Sequence, residues 1–157
     1  MEQENLKKLI ADGLIAMKAG GQVAAAATDE IQQSATNADL KSALDAGNDT
    51  AKTWQTRIER SLDELGAEGE GENPILDAHY QVSKKIRDSA PDEQVRDLGI
   101  IASGQLALHY WVAAFGTMKA YAGRLGLEQT EQEMARSVEE AKRADEQHTA
   151  IAARIMG

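Results

Sequence analysis

At 157 residues with 42% hydrophobic side chains, the chain has the size of one domain, read here as residues 1–157, with enough apolar material for one core and no need of covalent staples. It contains no cysteine, which excludes disulfides and thiolate metal ligands and fits a reducing cytoplasm, the expected location. A formal net charge of −9, from 17 basic and 26 acidic residues, argues against nucleic acid as a partner: the densest basic cluster, Lys84, Lys85 and Arg87, is short and flanked by acids. Residues 1–5 are acidic and polar, so no secretory signal is read there, and no apolar run approaches the roughly 20 residues of a membrane span. No membrane partner is expected.

Five helices follow from the spacing of apolar residues. The first covers about 2–34, with Leu6, Ile10, Met17, Ala24, Thr28 and Ile31 on one stripe and Gly13, Gly20 and Gly21 on or beside it. The second covers about 37–65, from an Asn37 cap to a Gly66 stop; its stripe is Leu40, Leu44, Gly47, Ala51, Trp54, Ile58, Leu62 and Leu65. A glycine- and glutamate-rich loop, 66–73, leads to a short third helix at 74–88, where Asn73-Pro74 reads as cap and first helical residue. The fourth runs from about 91 to 125, with Leu98, Ile101, Leu108, Trp111, Val112, Phe115 and Met118 facing inward. The fifth begins near Thr130, which forms a capping box with Glu133, and its stripe is Met134, Val138, Ala141, Asp145, His148, Ala152 and Ile155. No stretch alternates with period two, so strands are not expected. Long helices with short connections predict an all-α, antiparallel four-helix bundle, with the short third helix across one end or edge.

Chemistry is hard to find on these faces. The chain has no Gly-x-Ser-x-Gly elbow, phosphate loop or dinucleotide fingerprint. A bundle can hold a carboxylate-bridged metal pair, but only if several acids turn inward together. Asp145 is the one acid on an inward stripe, with His148 one turn later; they could be two ligands on one face, or Asp145 could pair with a polar group of the fourth helix. His109 follows Leu108 and so points about 100° away, toward a boundary or interface. His79 is expected in solvent. The glycines inside helices each cost about 1 kcal/mol relative to alanine. They reflect either close helix packing and tolerance, or room for a bulky group opposite.

Residues 106–118, LALHYWVAAFGTM, resemble a helix of the YciE/YciF-type ferritin-like bacterial proteins that reads approximately V-E-H-Y-E-I-A-A-Y-G-T-L. The likeness continues through Ala122-Gly123-Arg124-Leu125-Gly126-Leu127, Val138 to Glu146, and Val95-Arg96-Asp97-Leu98, and more loosely through residues 40–59. It implies a ferritin-like bundle, an association with stress responses, a homodimer, and a candidate di-iron site. At the positions that resemble the family's ligands, this chain carries Gly21, Gly47, Thr50, Leu108, Trp111 and Ala141, while His109 and Asp145 keep the family identity and Glu140 stands beside a ligand position. Gly21, Gly47 and Ala141 would make room for the Trp111 indole, which favours volume compensation over tolerance.

The leading expectation is therefore a non-enzymatic, stress-associated ferritin-like protein with a degenerate di-metal site and a structural or interaction role, self-associating as a dimer. An alternative is a small-molecule binder using a pocket left at Gly21, Gly47, Trp54, Leu108, Trp111 and Ala141, with Gly20 beside it. A further one is a residual iron or manganese protein using Asp145, His148, His109 and Glu140. No cofactor is expected on the leading reading.

Overall fold

The computed structural model describes residues 1–157 as five α-helices and no strand: α1 Gln3–Ser34, α2 Ala38–Leu65, α3 Pro74–Ser89, α4 Glu93–Leu125 and α5 Glu128–Met156. Local chemistry sets most of the ends. Asn37 accepts from the Leu40 N–H at the start of α2, and Gly66 closes that helix in the left-handed conformation (φ 64°) that glycine adopts without strain. Asn73 caps α3 in the same way through Leu76 N–H, ahead of Pro74. Gly126 (φ 69°) ends α4.

Two starts differ from the sequence reading. The fourth helix begins at Glu93 rather than at Pro91, because the Asp92 carboxylate accepts from Val95 N–H at 2.8 Å and serves as the cap. The fifth begins at Glu128, and the Thr130–Glu133 capping box does not form. Instead the Glu64 carboxylate, reaching over from α2, accepts from both the N–H (2.7 Å) and the hydroxyl (2.8 Å) of Thr130. A carboxylate at a helix N-terminus meets unpaired N–H groups and the positive end of the helix dipole, whichever element supplies it.

The helices α1 and α2 form one antiparallel pair, α4 and α5 another; α2 packs on α5 and α1 on α4, closing a four-helix bundle. The crossover from α2 to α4 carries α3, which lies on the edge made by α1 and α4. The core falls into two parts. The larger, of 15 buried residues, gathers Leu14, Ile58, Trp111, Phe115 and Met134; the smaller, of 6, gathers Leu40, Ile100, Ile101 and Ile151 toward the α1–α2 turn. A cleft separates them.

The face of α4 is apolar nearly all round. By length and composition the helix is apolar enough to cross a membrane, although only 33% of its most apolar stretch is buried; no uninterrupted apolar run had signalled this. The inward set shifts accordingly: Ala107 is buried and Leu108 only half-buried, and Asp97 is buried beside a half-buried Leu98.

Asp97 explains part of the Val-Arg-Asp segment. Its carboxylate, on a residue 2% exposed, accepts from Thr36 N–H (2.9 Å), Thr36 Oγ1 (2.7 Å) and Asn37 N–H (2.8 Å), while Arg96 Nε donates to Ser34 O at 3.0 Å. Together they clamp the α1–α2 turn to α4. Removing the acceptor strands three donors, so Asp97→Ala is expected to lower the unfolding free energy by about 3 kcal/mol, read from urea melts, with the helical circular dichroism of the native state unchanged.

Candidate functional site

Aromatic residues from α2 and α4 meet at the inner end of the cleft. The Trp111 ring stacks on Phe115 (centroids 5.2 Å, 25°), Trp54 sets its edge against Phe115 (5.0 Å, 70°), and the two indoles lie 5.8 Å apart. Tyr110 packs edge-on to Trp111 and its hydroxyl accepts from Asn73 Nδ2 at 2.7 Å, so it turns back toward the α3 cap and not outward with His109. Trp111 is 5% exposed. Its partners are these rings, whereas the α1 glycines face other groups: Met118 lies over Gly13, and Asn73 and Leu76 over Gly20.

Beside the rings lies a charged network that the sequence reading missed. Arg57 of α2 is buried. Its guanidinium holds Glu140 through both Nη atoms (Nη2 to Oε2 at 3.3 Å), approaches Glu133 Oε2 at 3.3 Å, and donates to Ser137 Oγ at 3.1 Å. Arg60 adds a second contact to Glu133 at 3.3 Å, and Trp54 Nε1 donates to Glu140 Oε1 at 3.0 Å. The signal was present as spacing: Glu133, Ser137 and Glu140 recur by four and three, one position before the apolar stripe of Met134, Val138 and Ala141. Partial burial alone would raise the Glu140 carboxyl, but hydrogen bonds from Arg57 and Trp54 and the charges of Arg57 and Arg143 hold it below its ordinary value.

The cleft itself has a volume of about 960 Å³ and is lined from all five helices. Gly21, Gly47, Thr50, Leu108 and Trp111 line it, as does Trp54, so positions singled out from distant parts of the sequence do converge. Ala141 does not reach it and is fully buried behind. The idea that these small residues make room for Trp111 needs correction. A side chain at Gly47 would meet nothing within 4 Å, and the space at Gly21 is taken by the Gln55 amide, which donates to Lys18 O at 3.1 Å. Leu108 is half-buried, lining the cleft and packing against the larger core. On the α3 side stand His79 and Tyr80. Burial pushes the Tyr80 hydroxyl up to about 12 and lowers the His79 imidazole, which is half-buried here and not in open solvent.

The candidate ligands of the fifth helix go separate ways. Asp145 Oδ2 lies 3.0 Å from Nε2 of the exposed His109 on α4, and its Oδ1 is buried without a partner. His148 is buried and its Nδ1 lies 2.8 Å from Ala144 O, within its own helix. Nowhere do three or more His, Asp or Glu side chains gather in a geometry that could hold a metal ion.

Two antiparallel helix pairs, a crossover carrying a short helix, and a central chamber ringed by the positions compared above define a ferritin-like bundle of the YciF type. The chain belongs to the family described as a domain of unknown function (DUF892), whose model matches residues 5–157. Among solved structures it is similar to the E. coli stress protein YciF, with a TM-score of 0.91 at 19% identity over 96% of each chain. It is also similar to YcfI, described as "a putative structural protein" from Rhodopseudomonas palustris, with a TM-score of 0.87 at 24% identity over 95% of this chain and 94% of that one. At these identities the likeness establishes the fold. No curated protein matches the chain.

Because the folded Glu140 carboxyl sits below its unfolded value of about 4.5, its contribution to stability is complete above that pH and fades as pH falls through the folded value. Glu140→Gln is therefore expected to be less stable than the parent by about 2 kcal/mol at pH 7, with the difference shrinking as pH falls below the unfolded value and through the folded one, in urea titrations run from neutral into the acid range.

Proposed function

We propose that this protein is a non-enzymatic, stress-associated, cytoplasmic bundle that has lost the di-metal centre of its fold and acts by association, first with a second copy of itself. One observation carries the reading. The two carboxylates that α5 turns toward α2 beside the rings, Glu133 and Glu140, are held by Arg57 and Arg60, so two negative charges face two positive ones. A pair of divalent or trivalent cations needs an excess of anionic oxygen in the core. Gly21, Gly47, Thr50, Leu108, Trp111 and Ala141 supply none, and the residues present do not fit such a centre. Asp145, committed to His109, and His148, committed to Ala144 O, leave the residual iron or manganese reading without a constellation.

The stress and structural descriptions belong to the similar proteins and lend this chain its context. The near-complete family match supports one domain over 1–157. Self-association is supported by the outer face of α4, where Leu106 is 66% exposed, with Val95 on the same helix also exposed. Large apolar side chains left in water on a helix already rich in them favour a partner surface. Net charge −9 keeps nucleic acid off the list of partners.

Elemental analysis of protein purified from iron-supplemented cells is expected to find iron and manganese far below one atom per chain. Stoichiometric metal would overturn the reading. In light scattering at about 100 μM the chain is expected to have the mass of a dimer, and Leu106→Glu to shift it toward monomer; a monomeric parent would remove the association claim.

A further inference from the structure

The cleft is more than the space where a metal pair is absent. Its volume of about 960 Å³ falls within the roughly 300–1,000 Å³ of small-molecule sites. It is walled by small and apolar residues at the rim, such as Ala24, Gly47 and Ala51, and by Trp54 and Trp111 within. Among its polar atoms, Gln55 Oε1 and Ser103 Oγ are buried without a hydrogen-bond partner. Ser103 is 4% exposed, and its Oγ is buried with no hydrogen-bond partner. Buried hydroxyls are nearly always paired, and this one lines the cleft. The next residue, Gly104, leaves room for the His148 ring: a side chain there would lie 3.2 Å from Nε2. His148 Nδ1 faces a carbonyl, which only accepts, so Nδ1 carries the hydrogen and Nε2 of the neutral ring is an acceptor turned to the same wall.

Charge narrows the ligand further. Of the ionisable side chains around the cleft, Asp29, Asp45, Asp49 and Glu140 are acidic and Lys52 and Arg143 basic, on a chain of net charge −9, which disfavours an anion. The carboxylate nearest the indoles, Glu140, is already held by Arg57 and offers little to a cation. We infer that the cleft binds an uncharged, flat aromatic molecule that packs against the Trp54 and Trp111 indoles at its inner end and presents an N–H or O–H edge to Ser103 Oγ and His148 Nε2. The buried indoles give the inner end an apolar aromatic surface, and the donor edge supplies the partners the two polar atoms lack. The site is independent of metal loss in its test and of self-association in its geometry.

Trp54 and Trp111 are the only tryptophans in the chain, so their fluorescence reports the cleft directly. Lumichrome, which is flat, uncharged and has N–H groups on its edge, is the probe, titrated into the full chain by fluorescence and by calorimetry. Saturable quenching with a matching heat is expected. Naphthalene, flat but without a donor, is expected to bind about tenfold more weakly, and 2-naphthoate, an anion, more weakly still. Gly47→Leu places bulk where a side chain meets nothing in the fold, so it is expected to fold normally and to weaken lumichrome at least about tenfold. Ser103→Ala removes only the unpaired hydroxyl and is expected to weaken lumichrome about tenfold while leaving naphthalene unchanged. Absence of saturable quenching overturns the inference. So does unchanged lumichrome affinity in both folded variants, or 2-naphthoate binding as tightly as lumichrome.

Discussion

A guanidinium buried between two helices needs carboxylates within reach, and Arg57 finds two of them on α5. That requirement orders much of the rest. It fixes the rotation of α2 against α5, because Glu133 and Glu140 lie two turns apart and both must face the same side chain. Glu140 in turn accepts from Trp54, which sets one indole, and Trp54 frames Phe115 and Trp111. The inner wall of the cleft is thus aligned by an ion-pair network of which only Glu140 reaches it. Such a network is costly to break at one member, whereas replacing all of it with packed apolar groups is often neutral. Its value here lies in specifying one arrangement of the helices.

The division of the core follows from where large side chains run out. Leu and Ile residues fill both ends of the bundle, and between them α1, α2 and α4 present glycine and alanine at Gly21, Ala24, Gly47, Ala51, Gly104 and Ala107. Only some of that space is taken up. Gln55 closes over Gly21 and His148 over Gly104, while nothing reaches Gly47. A glycine in a helix with open space before it gains nothing from packing, so the opening is maintained against helix propensity.

Helix number, order and most boundaries were legible because apolar spacing and caps such as Asn37, Asn73 and Gly66 act locally. The positions around the cleft were legible through the family resemblance, which brought Gly21, Gly47, Leu108 and Trp111 to one place. What escaped was set by tertiary contact. Thr130 looked like a cap because a threonine followed by glutamate at the third position usually is one; the Glu64 carboxylate from another helix changed its role. Glu133 was read as half of a capping box and Glu140 as a neighbour of a ligand position; no inward stripe contained them, and their pairing with Arg57 from α2 could not be read from α5 alone. In α4, apolar on nearly every side, periodicity could not choose the inner face, so Leu108 and Ala107 exchanged places in the reading.

Two helix ends are finished by residues from elsewhere: Asp97 of α4 serves the α1–α2 turn, and Glu64 of α2 serves the first turn of α5. Neither pair of helices can complete its own termini until the other has docked. Fraying, which usually begins at such ends, is thereby tied to separation of the whole bundle. The backbone amides of Thr36, Asn37 and Thr130 become slow protons in places where a turn or a first helical residue ordinarily exchanges fast, and the chain opens as one cooperative unit instead of from its corners.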